Sequence, residues 1–556
     1  MKVSEYIAEY LQSLGVTDVF GIPGGVILDL MYALDSTDGI VPHLNYHEQC
    51  AGFAACGFAQ VEGRLGVAYA TKGPGFTNLL TAVADAYYDS IPVLFLTAHG
   101  STSLSDECRT TADQEMDTCA MVEKITKYSK RVDELQEVAE VLRVACKIAV
   151  DGRKGPVFLD YSSSLFKTEI PKSKCKNVAD DAGVENHELG WLSRMFCNAK
   201  RPVVLIGDGI NQSNSCEAMN ILAEKMGVPV ISSRYSHNVI KNDSSYFGYI
   251  GSHGIRYANF ILSKADLVVS LGNRLNFPSQ SLSYKRIAEH SEFLRFDIDG
   301  GELKKHPQMA KGVRIDMKSL IPSLISQDLD FGNHQKWMLL CNEIKNELKN
   351  EDINEIVISL GKLLRTVSRK SVIVADVGNN EFWVSRACVY AKIQNRTLYS
   401  KSFGALGNAL AKAIGAYYAT KQPVVVIVGD QGLQFNIQEL QYISQHCLPI
   451  AIILLNNHSS GMIKDREKVS GYDYCLHTTI DSGYGFPNFS EIARAYAMPF
   501  QKVTKKSSLA NIVSPLFLDL SFETDYVLTP FLPKGREIQD MEPRINTDLY
   551  NYLNEM

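Results

Sequence analysis

Asp430 and Asn457 each stand just beyond an unbroken run of apolar strand-formers, residues 424–428 and 448–455, and twenty-seven positions separate them. Runs of that kind read as parallel strands covered on both faces. In a right-handed crossover the two side chains arrive together at the carboxyl edge of the sheet, where open α/β folds bind ligands. A carboxylate, an amide oxygen and a nearby backbone carbonyl make a hard-oxygen set that suits Mg²⁺ or Ca²⁺, with diphosphate oxygens completing the shell. Between the strands, Gly429-Asp430-Gln431-Gly432 breaks the first run. Phe435, Ile437, Leu440 and Ile443 then predict one face of a helix whose first N–H groups favour an anion beside Gly432. An ordinary βαβ unit with polar loop ends would use the same residues, so this pattern alone leaves both readings open.

The same stretch resembles the signature of the thiamine diphosphate enzymes, which opens with Gly-Asp-Gly and ends in Asn-Asn; here it reads GDQG and NN, and Gln431 departs from the usual small residue. The resemblance implies metal ligands at Asp430, Asn457 and the carbonyl of Ser459. Gly429, Gln431, Gly432, Gly461 and Met462 would belong to the same cofactor-binding set. Such chemistry also needs a carboxylic acid that hydrogen-bonds the aminopyrimidine ring. Glu48 is expected to be that acid, because it stands alone among Cys50, Ala51, Gly52, Phe53, Ala54 and Ala55, an apolar setting that raises a carboxyl pKa. Taken alone, a lone Glu at a helix start is more often an exposed capping residue.

Further stretches resemble the acetolactate synthase branch of that family, in order along the chain: VFGIPGG at 19–25, HEQCAGFAACGFA at 47–59, the segment 71–97, DQEMDT at 113–118, ADVGNNEFW at 375–383 and GALGNALAKAIGA at 404–416. They imply cofactor contacts at Gly25, Asn78, Gly378, Asn379, Asn380 and Gly404. Gln114 would stand near the reacting centre; a solvated loop amide is the alternative. Leu406 would be the apolar wedge that bends the cofactor, catalysis by positioning; a core leucine is the alternative. The implied fold is α/β, three doubly wound parallel-sheet domains that bind the pyrimidine, form the centre and bind the diphosphate.

The departures bear on substrate and flavin. The branch's Gly-Ala-Arg-Phe-Asp-Asp-Arg pattern becomes Gly272-Asn273-Arg274-Leu275-Asn276-Phe277-Pro278 here, which keeps Arg274 and loses the aspartates and the last Arg. That speaks against FAD, and against the usual 2-oxo acid acceptor, whose carboxylate an Arg fork would hold. Asn380 replaces a His, and Lys464-Asp465-Arg466-Glu467 replaces a stretch that usually contains Trp. GDGIN at 207–211 lacks a full GxGxxG and reads as a strand-to-helix turn. His253 reads as a hydrogen-bonded structural histidine.

Length and composition fit a large globular enzyme: 556 residues, 45% hydrophobic, 21% charged, net charge −6. That balance argues against nucleic acid as a partner. The first residues read as an amphipathic helix, not a signal peptide, and no run is long enough for a membrane span, so a cytoplasmic chain is expected. The 12 cysteines form no CxxC pair and are expected to be reduced thiols. Expected domains are 1–166, 189–330 and 353–556, with a polar linker over 167–188. The expected activity is ThDP- and Mg²⁺-dependent decarboxylation of a small 2-oxo acid, pyruvate foremost, with transfer of the acyl anion to an unidentified carbonyl acceptor. A simple 2-oxo acid decarboxylase releasing an aldehyde is the rival reading, and a non-catalytic ThDP-binding protein is the third. The resemblance also implies a homodimer or homotetramer with sites at subunit interfaces.

Overall fold

Alternating short apolar runs and longer Ala- and Leu-rich segments give a chain of βα units. The computed structural model describes residues 1–100, 109, 112–171, 189–275, 286–287, 289–305, 311–522 and 527–556. Residues 172–188 of the expected linker, and 276–278 of the altered acetolactate synthase pattern, lie outside them.

The described strands form three six-stranded sheets, parallel throughout. The first holds β1 (Asp18–Gly21), β2 (Val41–Leu44), β3 (Gly66–Ala70), β4 (Val93–His99), β5 (Tyr128–Val132) and β6 (Val157–Ser162), in the order β2-β1-β3-β4-β6-β5. The central sheet holds β7 (Pro202–Ile206), β8 (Val230–Ser232), β9 (Tyr246–Tyr249), β10 (Leu267–Leu271), β11 (Glu292–Asp297) and β12 (Lys311–Arg314), ordered β12-β11-β10-β7-β8-β9. The third holds β13 (Val372–Ala375), β14 (Thr397–Leu398), β15 (Val424–Gly429), β16 (Ile450–Asn456), β17 (Phe500–Lys502) and β18 (Leu516–Ser521), ordered β14-β13-β15-β16-β18-β17. The first and third sheets therefore share one strand order, a kinship that their residues do not display. The central order is that of a doubly wound nucleotide-binding sheet, with its switch point between β7 and β10.

One apolar core runs from the first sheet into the third through the helices Glu48–Glu62 and Ala409–Thr420. Both are buried almost all round, as their Ala, Gly and Cys content requires. They cross at glycines. A Cβ on Gly57 would stand 2.1 Å from the Lys412 carbonyl oxygen, and one on Gly415 1.8 Å from that of Ala54. Any side chain there would hold the backbones apart. Lys412, fully buried at the crossing, pairs with Asp85 at 2.8 Å and donates to the Tyr399 carbonyl at 3.2 Å. On the central sheet, the helix Gln335–Leu348 and the tail residues Leu532, Met541 and Leu553 complete one core face. No helix among the described residues is long and apolar enough to cross a membrane.

The crossover between β15 and β16 differs from the sequence expectation. The helix starts at Asp430 itself and runs only to Phe435, with Gly432 inside it, and a second helix spans Glu439–Gln445. Phe435 is 55% exposed, so it is not part of the core face, whereas Leu440 and Ile443 are buried. The break falls at Asn436, whose amide donates to the Gly407 carbonyl at 2.8 Å and to Gln49 Oε1 at 3.3 Å. Those tertiary bonds draw the chain out of helical geometry, a cause the periodicity does not carry.

Candidate active site

Strand register places the first chemical group. β15 pairs with β16 so that Gly429 faces Leu455, which leaves Asp430 and Asn457 side by side past the carboxyl ends of adjacent strands. Asp430 is 2% exposed. Its Oδ1 accepts the Gln431 N–H at 2.9 Å, and its Oδ2 is buried without a hydrogen-bond partner among the described residues. Burial pushes the carboxyl up to about 6, moderated by the Gln431 N–H, the Tyr484 hydroxyl and the Ser459 N–H close by. Ser459 is also buried, and its Oγ has no partner among the described residues. Gln431, the departure from the family pattern, accepts from Ser460 Oγ at 2.8 Å and so ties the GDQG turn to the loop after β16.

The remaining C-terminal candidates gather around this pair. A Cβ on Gly461 would stand 2.5 Å from Asn457 Nδ2 and 3.4 Å from Asn379 Nδ2. Asn379 donates to Asp465 Oδ2 at 2.8 Å, and Asn380 Nδ2, bonded to the Val377 carbonyl at 3.1 Å, lies against Gly429. Gly378 caps that helix at φ 107°, a conformation suited to glycine. Leu406 is half-buried, with Cδ1 3.3 Å from the place a Gly432 Cβ would take. Met462 packs on the core beneath the Asn379 helix. Gly404 is exposed at φ 71° and has no neighbour at its Cβ position.

The N-terminal candidates form a second cluster. Glu48 is the first residue of its helix, after His47, whose ring accepts the Gln49 N–H at 3.1 Å. It is half-buried, not enclosed as its apolar neighbours predict, because Cys50 to Ala59 pack into the core while His47, Glu48 and Gln49 stay partly exposed ahead of them. Its Oε2 accepts from Asn78 Nδ2 at 2.9 Å, and its Oε1 is 3.3 Å from the Cβ position of Gly75. Gln114 is exposed at φ 60°, and its Cβ and backbone abut Gly73, two residues before Gly75. Gly25 is exposed in a short 3₁₀ turn. Its neighbour Gly24 packs on Thr71, which in turn touches Gly75.

Sequence reasoning missed the group that joins the C-terminal pieces. Asp376, fully buried beyond β13, accepts the Gly407 N–H at 3.0 Å and Asn408 Nδ2 at 3.1 Å, and its Oδ2 would meet a Gly432 Cβ at 2.1 Å. Burial pushes its carboxyl up to about 7. The available signal was its position: like Asp430, it follows directly on a buried strand.

At the switch point of the central sheet, the Gly207 turn lies on the β10 loop, a Gly207 Cβ being 2.2 Å from the Gly272 carbonyl oxygen. Asp208 ion-pairs with Lys401. Burial opposes its ionisation, yet the Lys401 ammonium holds its carboxyl below the usual range. Arg274 is engaged, donating to the Tyr88 carbonyl at 2.6 Å and pairing with Glu302 at 3.5 Å. His253 rests on Phe382, ring centroids 4.5 Å apart, with Nδ1 3.2 Å from Ser252 Oγ.

Three models of the thiamine pyrophosphate enzymes match in chain order: the N-terminal TPP binding domain over residues 1–121, the central domain over 191–324 and the C-terminal TPP binding domain over 376–519. The chain belongs to the thiamine pyrophosphate enzyme family. Its relatives include the acetolactate synthase large subunit of Lactococcus lactis, 30% identical over 97% of this chain and 95% of that one. The acetolactate synthase isozyme 2 large subunit of Escherichia coli is 28% identical over 98% and 100% of the two chains, and chloroplastic acetolactate synthase 1 of Zea mays 29% over 97% and 88%. The protein is therefore an enzyme that uses thiamine diphosphate and Mg²⁺. The C-terminal cluster fits both. Two buried oxygens are unpartnered, Gly432 and Gly461 let Asp376 and Asn457 approach the backbone closely, and the donors are one carboxylate among neutral oxygens. Among the described residues no group of three His, Cys, Asp or Glu forms a competing metal site.

Proposed function

We propose that this enzyme decarboxylates a small 2-oxo acid, with pyruvate the first to test, and transfers the acyl unit to a carbonyl acceptor, as an acetolactate synthase-like carboligase. The observation that carries the site is the buried, unpartnered Oδ2 of Asp430 beside Asn457 and Ser459 at paired strand ends. In this reading Asp430, Asn457 and the Ser459 carbonyl hold Mg²⁺ and the diphosphate. Leu406, backed by Gly432, supports the cofactor from below, and Asn379 and Asn380 close its side. Glu48, its carboxylate fixed by Asn78, holds a proton at the aminopyrimidine nitrogen. Bound thiamine diphosphate supplies the electron sink of its thiazolium ring. The loop that carries Gln114 lines the approach to Glu48. The Glu48 of one subunit serves the cofactor held by another, so the working unit is a homodimer or larger.

Asp430→Ala should abolish Mg²⁺-dependent cofactor binding in titration calorimetry. Glu48→Gln should bind the cofactor yet lose about 10²–10⁴-fold in turnover. Near-normal turnover in Glu48→Gln refutes the acid assignment. A simple decarboxylase is the second reading, favoured by the loss of the pattern's last Arg, whose place Pro278 takes, since an acceptor carboxylate is normally held by an Arg fork. Labelled pyruvate, with and without carbonyl acceptors including keto-sugars, separates the readings: a carboligase yields an acceptor-dependent labelled adduct, a decarboxylase only labelled aldehyde.

A further inference from the structure

Glu48 is presented by a stretch, residues 45–50, that leaves β2 and enters a helix, and it is partly exposed at the helix start just before Cys50 enters the crossing core. Asn78 fixes the end of its side chain, but something must fix the backbone beneath. The contacts that do so come from the third domain. Glu439, fully buried as the first residue after the break in the β15–β16 crossover, accepts the Tyr46 N–H on Oε1 at 2.8 Å and Asn45 Nδ2 on Oε2 at 3.0 Å. Three residues earlier, Asn436 donates to Gln49 Oε1 at 3.3 Å and accepts from Cys50 Sγ at 3.0 Å. Residues on both sides of Glu48 are thus bonded to two residues of one crossover, Asn436 and Glu439. That crossover begins at Asp430, and its Asn436 also holds the Gly407 carbonyl beside Leu406.

We propose that Glu439 is a positioning residue for Glu48: its carboxylate sets the backbone of residues 45–46, and through it the direction of the acid. The inference rests on the acid role proposed for Glu48. A carboxylate suits the place because two acceptor oxygens meet two N–H donors. Removing the carboxylate leaves both donors without their acceptor, and a shift of about 1 Å in a reacting group costs about 100-fold in rate. Glutamine can replace it, since Asn45 Oδ1 is itself buried without a partner among the described residues and can accept an amide N–H once the Asn45 amide turns over.

The test compares Glu439→Ala, Glu439→Gln and Glu48→Gln with the wild-type chain. It reads hydrogen–deuterium exchange at the Tyr46 amide without cofactor, the thiamine diphosphate dissociation constant with Mg²⁺, and exchange of the cofactor C2 proton. Glu439→Ala should speed Tyr46 exchange, leave the dissociation constant within about threefold, and slow C2 exchange by roughly 10- to 100-fold, with Glu439→Gln restoring most of it. C2 exchange in Glu439→Ala within about twofold of wild type, or a loss that Glu439→Gln does not restore, overturns the proposal. Slow C2 exchange in Glu48→Gln beside normal exchange in Glu439→Ala defeats the clamp alone, whereas normal exchange in Glu48→Gln defeats the acid assignment and the clamp with it. Should Glu439→Ala fail to fold, Asn45→Ala removes one of the two bonds and should show the same pattern with a smaller loss; unchanged C2 exchange there counts against the clamp.

Discussion

Gly432 shows how much of the site depends on a missing side chain. A Cβ on it would collide with Asp376 Oδ2 at 2.1 Å and stand 3.3 Å from Leu406 Cδ1. Asp376 has no room to retreat, because the Gly407 N–H and the Asn408 amide hold it. Gly432→Ala should therefore displace Asp376 and the Leu406 loop together. The expected outcome is a loss of about 1–3 kcal/mol in urea unfolding and at least roughly tenfold weaker cofactor binding, a 1.4 kcal/mol effect. Unchanged affinity in that variant would show that Leu406 does not support the cofactor. Gly429, Asp430 and Gly432, where one buried strand ends, and Asn457, just past the next, were legible in the sequence because the two apolar runs mark the strand ends that carry them. Asp376, Tyr484 and Glu439 were not, since each acts by a contact far along the chain that spacing does not encode.

At the scale of elements, the crossing of the Glu48 and Ala409 helices fixes how the first and third sheets meet. Gly415→Ala places a methyl carbon 1.8 Å from the Ala54 carbonyl oxygen, so the helices must part. Loss of stability at the upper end of the usual 1–3 kcal/mol for overpacking, or beyond it, is expected in urea denaturation; an unaffected midpoint would mean the crossing is looser than described. The small-residue content of both helices was plain in the sequence, but which helix met which was not. The central and third domains meet at other buried groups. His237, after β8, lies 3.0 Å from the Tyr399 hydroxyl, and burial, reinforced by Arg396, holds its imidazole down to about 4. The unfolded chain takes up that proton near pH 6.5 and the folded one only near 4, so this histidine's contribution to stability is complete above about pH 6.5 and is lost as pH falls toward 4. Asp376 and Glu381, pushed up to about 7 by burial, act in the opposite sense, their cost growing as pH rises from about 4 to 7. The difference between chains isolates His237. Relative to wild type, His237→Gln should raise the urea midpoint at pH 5 compared with that at pH 7, and an unchanged difference between the two pH values would show the imidazole to be accessible to protons in the folded state.

Across the whole molecule, the proposed function gives each chain two half-sites: Glu48, Asn78 and the Gln114 loop on the first sheet, Asp430, Asn457 and Leu406 on the third. The three-domain plan was legible because βα alternation and motif order run the length of the chain. The common strand order of the outer sheets emerged only from the coordinates, since a sheet order is a property of packing and not of local pattern. Next to each half-site the single chain leaves large apolar side chains in water: Tyr46 is 41% exposed, Phe403 41%, Phe435 55% and Ile463 51%. Apolar groups gathered beside functional residues mark a surface that a partner covers, and here the covering surface proposed is a second copy of the chain. A two-fold dimer built that way joins the acid of each chain to the metal-binding strand ends of the other. Glu48→Gln and Asp430→Ala homodimers should each be inactive, because every site lacks one half. When the two variants are unfolded together and refolded as a mixture, half the dimers pair one of each, and one of their two sites combines an intact Glu48 with an intact Asp430, so activity should return to about a quarter of wild type. If each chain instead completed its own site, no mixing ratio would restore turnover, and the mixture would stay as inactive as its components.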